Sequence, residues 1–312
     1  MNLGQIHARM KAASAVARLP LRSGRWSGTA GSVLGGGTGS SIDFQDHRQY
    51  VPGDDPRHMN WHAYARTGHY TMKLYREEVT PRIDLVYDVS GSMFLDESKE
   101  QRVWELFYFC LESGLRSGGH LKLFLMGRSA TELPAELPVD QAIAGAWPES
   151  LGRAVGQDRG AGRRKQTAAA SPALLSDQLE RVPFRAGSLR VLVSDLLDES
   201  QPGRAAARLM AAGSRGIVLA PYARQESDPD WSGNIDFEDA ERLTHQRQRV
   251  DVELLSRYRQ AYARHFAVWR EESARRGVGF ARVVDAGDFL AALRVEAVPN
   301  GAIDMGTAGG GR

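Results

Sequence analysis

The chain has 312 residues, of which 42% are hydrophobic and 25% charged, the composition of an ordinary globular protein long enough to bury a full core. Its 40 basic residues nearly balance 38 acidic ones, and a net charge of +2 leaves no global footprint for nucleic acid or an anionic membrane. A single cysteine excludes an intrachain disulfide framework and fits a reducing, cytoplasmic compartment, and no apolar run approaches the roughly 20 residues of a bilayer span.

The first 42 residues contain no acid but carry Arg9, Lys11, Arg18, Arg22 and Arg25. No cleavage-type pattern or continuous apolar segment accompanies them. They read as a basic amphipathic helix with Ile6, Met10, Ala13 and Ala17 on one face. Residues 28–41 are rich in Gly, Ser and Thr but lack the Gly-Lys-Ser/Thr ending of a phosphate loop, so a flexible linker is expected and 1–41 forms a first unit. A second segment, 42–80, is rich in Asp, His, Arg and aromatics. Within it Pro52-Gly53 marks a turn, Asp55 an N-cap and Pro56 a first helical position, with a helix through Met59, Trp61 and Ala65 and a strand over 70–75.

From 81 to 298 strand and helix patterns alternate. Strands are predicted at 83–87, 121–126, 189–193, 217–220 and 278–284. Helices are predicted at 103–115, 174–182, 204–212, 252–276 and 289–293. Near-continuous apolar strands separated by helices predict a doubly wound, mostly parallel α/β sheet flanked by helices on both faces. Cys110 falls in an apolar helical run and reads as a core thiol. Insertions rich in loop residues occupy 128–172, including the basic run 159–165, and 224–249. The Gly-rich tail, 299–312, is expected to be disordered.

The chemistry lies at strand ends. The apolar run from Ile83 enters Asp88-Val-Ser90-Gly-Ser92, a carboxylate and two hydroxyls at alternate positions, and a second strand ends in Ser194-Asp195. Ligands of open α/β sheets bind beyond the carboxyl ends of the strands. If the two strands are neighbours, the all-oxygen set suits a hard divalent cation such as Mg²⁺ or Mn²⁺. These residues also admit a plainer role, Ser90 and Ser92 capping the helix that follows and Asp88 accepting from a backbone amide. His58 and His62 have the i,i+4 spacing of a zinc pair, but no third ligand accompanies them, and they are expected at the surface.

The stretch from Phe44 to Arg66, with its core Arg48-x-Tyr50-x-x-Gly53-Asp54-Asp55-x-Arg57, closely resembles the signature of the domain-of-unknown-function 58 family. Val193-Ser-Asp-Leu-Leu197 and the Gly233, Phe237, Asp239, Tyr258 pattern fit the same family. The resemblance implies a von Willebrand factor A-like domain with a metal-ion-dependent adhesion site. By that pattern Ser90 and Ser92 coordinate Mg²⁺ directly, and Asp88 and Asp195 act directly or through water. The family's loop threonine has no match: Ser171 stands in its place, with Thr167 as a second candidate. The Asp54–Asp55 pair is expected to serve structure, through a turn, a cap and ion pairs with Arg48, Arg57 or Arg66.

The resulting expectation is a non-enzymatic module that takes an Asp or Glu side chain from a protein partner on its Mg²⁺. The resemblance implies a MoxR-type AAA+ ATPase as that partner, in chaperone-like maturation or stress response. The alternatives are a Mg²⁺-dependent phosphohydrolase with Asp88 as nucleophile, and a scaffold with a vestigial site. Against hydrolysis, the position two residues after Asp88 is Ser90, which supplies no acid–base carboxyl.

Overall fold

The computed structural model describes residues 1–21, 30–38, 44–127, 134–145, 173–239 and 244–306, with the backbone alone for 30–38, 44–46 and 74–79. In chain order the elements are α1 (Leu3–Val16), β1 (Ala17–Arg18), β2 (Ala30–Thr38), β3 (Phe44–Gln49), α2 (Trp61–Thr67), β4 (Thr71–Val79) and β5 (Arg82–Asp88). Next come α3 (Glu97–Arg116), β6 (His120–Met126), β7 (Ala135–Leu137), α4 (Val139–Ala144), α5 (Leu175–Arg181), β8 (Leu189–Val193), α6 (Pro202–Met210) and β9 (Arg215–Tyr222). The chain continues with α7 (Arg224–Ser227), β10 (Gly233–Glu238), β11 (His245–Val250), α8 (Val252–Arg276), β12 (Gly279–Val284), α9 (Phe289–Val295) and β13 (Asp304–Met305).

The main sheet has six strands in the order β12-β9-β8-β5-β6-β7. All pairings are parallel except the edge pair β6–β7. Alternation along each strand divides the core in two. Leu85 and Tyr87, Leu123 and Leu125, and Val191 and Val193 join a cluster with Ile6, Met10 and the buried face of α3. Val86, Phe124, Leu192 and Val218 face the other way, toward α5, α6 and the Tyr262, Phe266 and Trp269 stripe of α8. Both faces are thus covered, as the uninterrupted apolar strands require. From the central strand β5 the chain proceeds to β6 on one side and then crosses to β8 on the other. The sheet's topological switch point therefore lies at the carboxyl ends of β5 and β8.

The long helix α8 matches the expected 252–276. Asp251 caps its start by accepting from the Leu254 N–H at 2.8 Å, and Gly277 at φ +74° closes it in the left-handed conformation that glycine takes without strain. Helix α3 begins six residues earlier than the apolar pattern indicates, because Asp96 accepts from the Ser98 and Lys99 amides and lets a polar first turn form.

Three expectations need correction. Residues 30–38, read as part of a linker, form a strand antiparallel to β4; the shifts in its register reflect a Gly-rich run with few side chains to fix it. The helix expected through Met59, Trp61 and Ala65 is divided. Asp55 does cap, but only a 3₁₀ turn over Pro56–His58, and Asn60 then starts α2 as a second cap. The tail is ordered as far as residue 306, because buried Ala302 and Ile303 anchor it and β13 pairs antiparallel with β1. Residues 307–312 lie outside the described residues, as do the basic run 159–165, Thr167 and Ser171.

Within the 42–80 segment, Arg48 donates two hydrogen bonds to Asp54, at 2.7 and 2.5 Å, and Arg57 pairs with Asp55 at 2.7 Å. Asp54 also accepts from the Val51 amide, closing the Pro52-Gly53 turn. Both acids are therefore engaged in local structure, and Arg48 and Arg57, not Arg66, are their partners. Cys110 is fully buried, and burial pushes its thiol well above the ordinary range.

Candidate functional site

At the switch point the parallel register sets Tyr87 beside Val193, so the next residues, Asp88 and Ser194, emerge together at the sheet edge. Ser194 Oγ donates to Asp88 Oδ2 at 2.6 Å, and the Ser90 amide donates to Asp88 Oδ1 at 2.9 Å. The second contact is a tight turn that swings the chain away from the strand. It leads into a 3₁₀ turn over Gly91–Phe94, with Ser90 Oγ and Ser92 Oγ 3.1 Å apart. Ser90 holds the N-cap position of that turn, but its side chain makes no capping bond. The capping role weighed for the serines is thus not used by Ser90, and Asp96 caps α3 instead.

Asp88, Ser90, Ser92, Ser194 and Asp195 line one cavity of about 770 Å³ at this edge. Its other walls include Met126, Leu174, Leu196, Tyr258, Tyr262 and His265. Asp88 is 9% exposed, and among the described residues no Lys, Arg or His pairs with it. Burial and then the nearby Asp195 charge push its carboxyl up to about 6, with the Ser194 and Ser90 hydrogen bonds opposing. A buried carboxylate left without a cationic partner, beside a second carboxylate and two hydroxyls that bond each other, is a donor set that fits a hard divalent cation. Among the described residues no group of three acidic, imidazole or thiol side chains forms a metal cluster, so the set depends on its serine hydroxyls.

Asp195 departs from the expected ligand role in one respect. Its Oδ2 accepts from Lys99 Nζ at 2.8 Å, while Oδ1 has a 3.3 Å contact from the Leu197 amide. Lys99 is fully buried and reaches a second acid, Glu226 of α7, at 2.6 Å. Burial alone pulls the ammonium's pKa down, but Asp195 and Glu226 together hold it above its ordinary value. Glu226 lies above its own ordinary value because burial outweighs its share of that single cation.

After Asp195 the backbone makes an unusual turn. Leu196 has φ +60°, a conformation costing a non-glycine residue about 1–3 kcal/mol. The Leu196 amide donates to Ser194 Oγ at 3.2 Å, and His265 Nε2 of α8 donates to the Leu196 carbonyl at 2.8 Å. Together these contacts fix the direction in which Ser194 and Asp195 face.

The structure therefore brings together Asp88, Ser90, Ser92 and Asp195, while Ser171 and Thr167 lie outside the described residues. His58 and His62 sit on the segment before β4 and do not line the cavity at this edge, and among the described residues no group of three metal-ligating side chains includes them. Lys99, Glu226, Leu196 and His265 escaped sequence reasoning. For Lys99 a signal was present: a lysine in the first turn of a helix opposes the helix dipole, and it shares a face with Val103 and Phe107.

Two solved structures are similar to this chain. One is an aerotolerance-related membrane protein from Bacteroides fragilis NCTC 9343 with multiple mutations to serines, at 14% identity over 69% of this chain and 96% of that one, TM-score 0.33. The other is the conserved hypothetical protein BatB from Bacteroides thetaiotaomicron, at 13% identity over 69% and 95%, TM-score 0.33. No curated protein matches. No helix among the described residues is long and apolar enough to cross a membrane. The family DUF58, described as a protein of unknown function, matches residues 46–272, most of the chain, and the protein belongs to that family.

Proposed function

We propose that this protein is a non-enzymatic interaction module of von Willebrand factor A-like fold that grips an acidic side chain of a protein partner through a divalent cation at the Asp88 edge. The observation that carries this reading is the buried Asp88 carboxylate. It opens on a cavity with Ser90, Ser92 and Asp195 and has no cationic partner among the described residues. The six-stranded, mostly parallel sheet flanked by helices supports the fold assignment.

A bound Mg²⁺ or Mn²⁺ would supply a Lewis-acidic position that a partner's Asp or Glu can fill. Asp88 would provide the main compensating charge, Ser90 and Ser92 neutral oxygens, and Asp195 its less engaged Oδ1. Ser171 or Thr167 would add a hydroxyl from the loop. Ser194 and the Ser90 amide orient Asp88, and His265 steadies the turn that orients Asp195. Ser90 stands where a phosphohydrolase of the Asp-nucleophile type needs an acid–base carboxyl, so binding is favoured over turnover. On the family resemblance, the partner proposed is a MoxR-type AAA+ ATPase.

The test is capture of that partner by the wild-type protein and by Asp88→Ala, with Mg²⁺ and with chelator, alongside phosphatase assays on both. Capture that needs both Mg²⁺ and Asp88, without turnover, supports the module. Turnover abolished in Asp88→Ala would instead establish the hydrolase.

A further inference from the structure

The buried Lys99 has no role in the site as drawn from the sequence, yet it occupies an expensive position. An ammonium fully out of water is costly unless paired, and the first turn of α3 adds the unfavourable field of the helix N-terminus. Its two partners differ in kind. Asp195 faces the cavity and is a candidate cation ligand, whereas Glu226 belongs to the segment that follows β9. Glu226 is itself held in place. Its Oε2 accepts from the Ala223 amide at 3.0 Å, and its backbone carbonyl accepts from the Tyr258 hydroxyl at 2.7 Å.

Lys99 therefore sits between a fixed acid and an acid shared with the cavity. Taken by themselves, Asp88, Asp195 and Glu226 carry three negative charges and Lys99 one positive, a formal −2 for this group of four, while Asp198, Glu199 and Asp239 on the same cavity lining keep the edge acidic around it. Without Lys99 the group would present −3. Without the Glu226 charge, Lys99 would turn its full attraction on Asp195 and compete directly with any cation there.

We propose that Lys99 is a built-in counter-cation, tethered by Glu226, that sets the divalent-cation affinity of the Asp88 edge. The proposal rests on the metal-dependent reading above. Charges a few ångströms apart at a partly buried site interact strongly enough to change an affinity tenfold or more, and the sign follows from which charge is removed.

The test is isothermal titration of the full chain with MgCl₂ and MnCl₂ alone. Lys99→Met, by removing the competitor, should bind the cation at least about tenfold more tightly than wild type. Glu226→Gln, by leaving the ammonium to Asp195, should bind about tenfold more weakly. The double variant restores the balance of −2 and should return close to wild type. If Lys99→Met does not fold, Glu226→Gln carries the test, since its amide keeps an oxygen for Lys99. Affinities unchanged within about twofold, or weakened in both single variants, would overturn the role of Lys99. Such a result in a protein that loses cation binding in Asp88→Asn would leave the cation site standing. No cation binding by wild type or any variant would overturn both.

Discussion

Asp84 and Asp88 lie on the same strand, at the amino and carboxyl ends of β5, and side-chain alternation points both to the same face of the sheet. Asp84 is fully buried and completely served. Arg185 donates to it from its amide at 2.9 Å and its Nε at 2.7 Å, and Ser188 Oγ donates at 2.7 Å. The same guanidinium also binds the carbonyls of Ile83 and His120, tying β5, β6 and the entry to β8 together. Asp88 has only neutral hydrogen bonds, from Ser194 and Ser90, another carboxylate for a neighbour and a cavity in front of it. One aspartate is a closed structural joint. The other is a charge left open, and the proposed cation site rests on that contrast.

The largest expected effect tests the closed end. Asp84→Ala removes the carboxylate that compensates the Arg185 guanidinium and accepts from Ser188, and should cost about 3–5 kcal/mol in urea unfolding, regardless of Mg²⁺. A loss that Mg²⁺ reverses would break the contrast.

The next tests the open end without cations. Asp88 has a folded-state pKa of about 6 against an ordinary 3.8, so its ionisation disfavours the fold. Its contribution is fully present below about pH 4 and is lost as pH rises through 6. Relative to Asp88→Asn, the cation-free wild type should lose about 3 kcal/mol across that window. Matching pH–stability profiles for the two proteins would show that Asp88 is already compensated.

The smallest effect sharpens the account of the turn. His265→Phe removes the hydrogen bond to the Leu196 carbonyl and should cost about 1 kcal/mol by thermal unfolding. It should also weaken cation binding, through the direction of Asp195, whereas an equally destabilising change on α6 should not.

Much of this was legible in the sequence for a physical reason. An apolar strand that stops at Asp88-x-Ser-x-Ser, and another that stops at Ser194-Asp195, need only local patterns to be seen. Adjacency of β5 and β8 then brings them together. Helix α8 was readable end to end because Asp251 and Gly277 punctuate it. The pairing of Lys99 was not: its first-turn place on the Val103 and Phe107 face hints at burial, but its partners lie 96 and 127 residues away. The left-handed turn at Leu196 was invisible because leucine is not a residue that marks such turns; it is held locally by Ser194 and at long range by His265. Strand β2 was missed because glycines carry no strand signal and its partner β4 lies some forty residues further along the chain.

The most direct measurement of the central claim is thermal unfolding at pH 7 with and without Mg²⁺, for wild type and Asp88→Asn. At a hundred times its dissociation constant, Mg²⁺ should stabilise wild type by about 2.7 kcal/mol and leave Asp88→Asn unmoved. An equal response in both proteins, or none in wild type, would contradict the assignment of the Asp88 edge as a cation site.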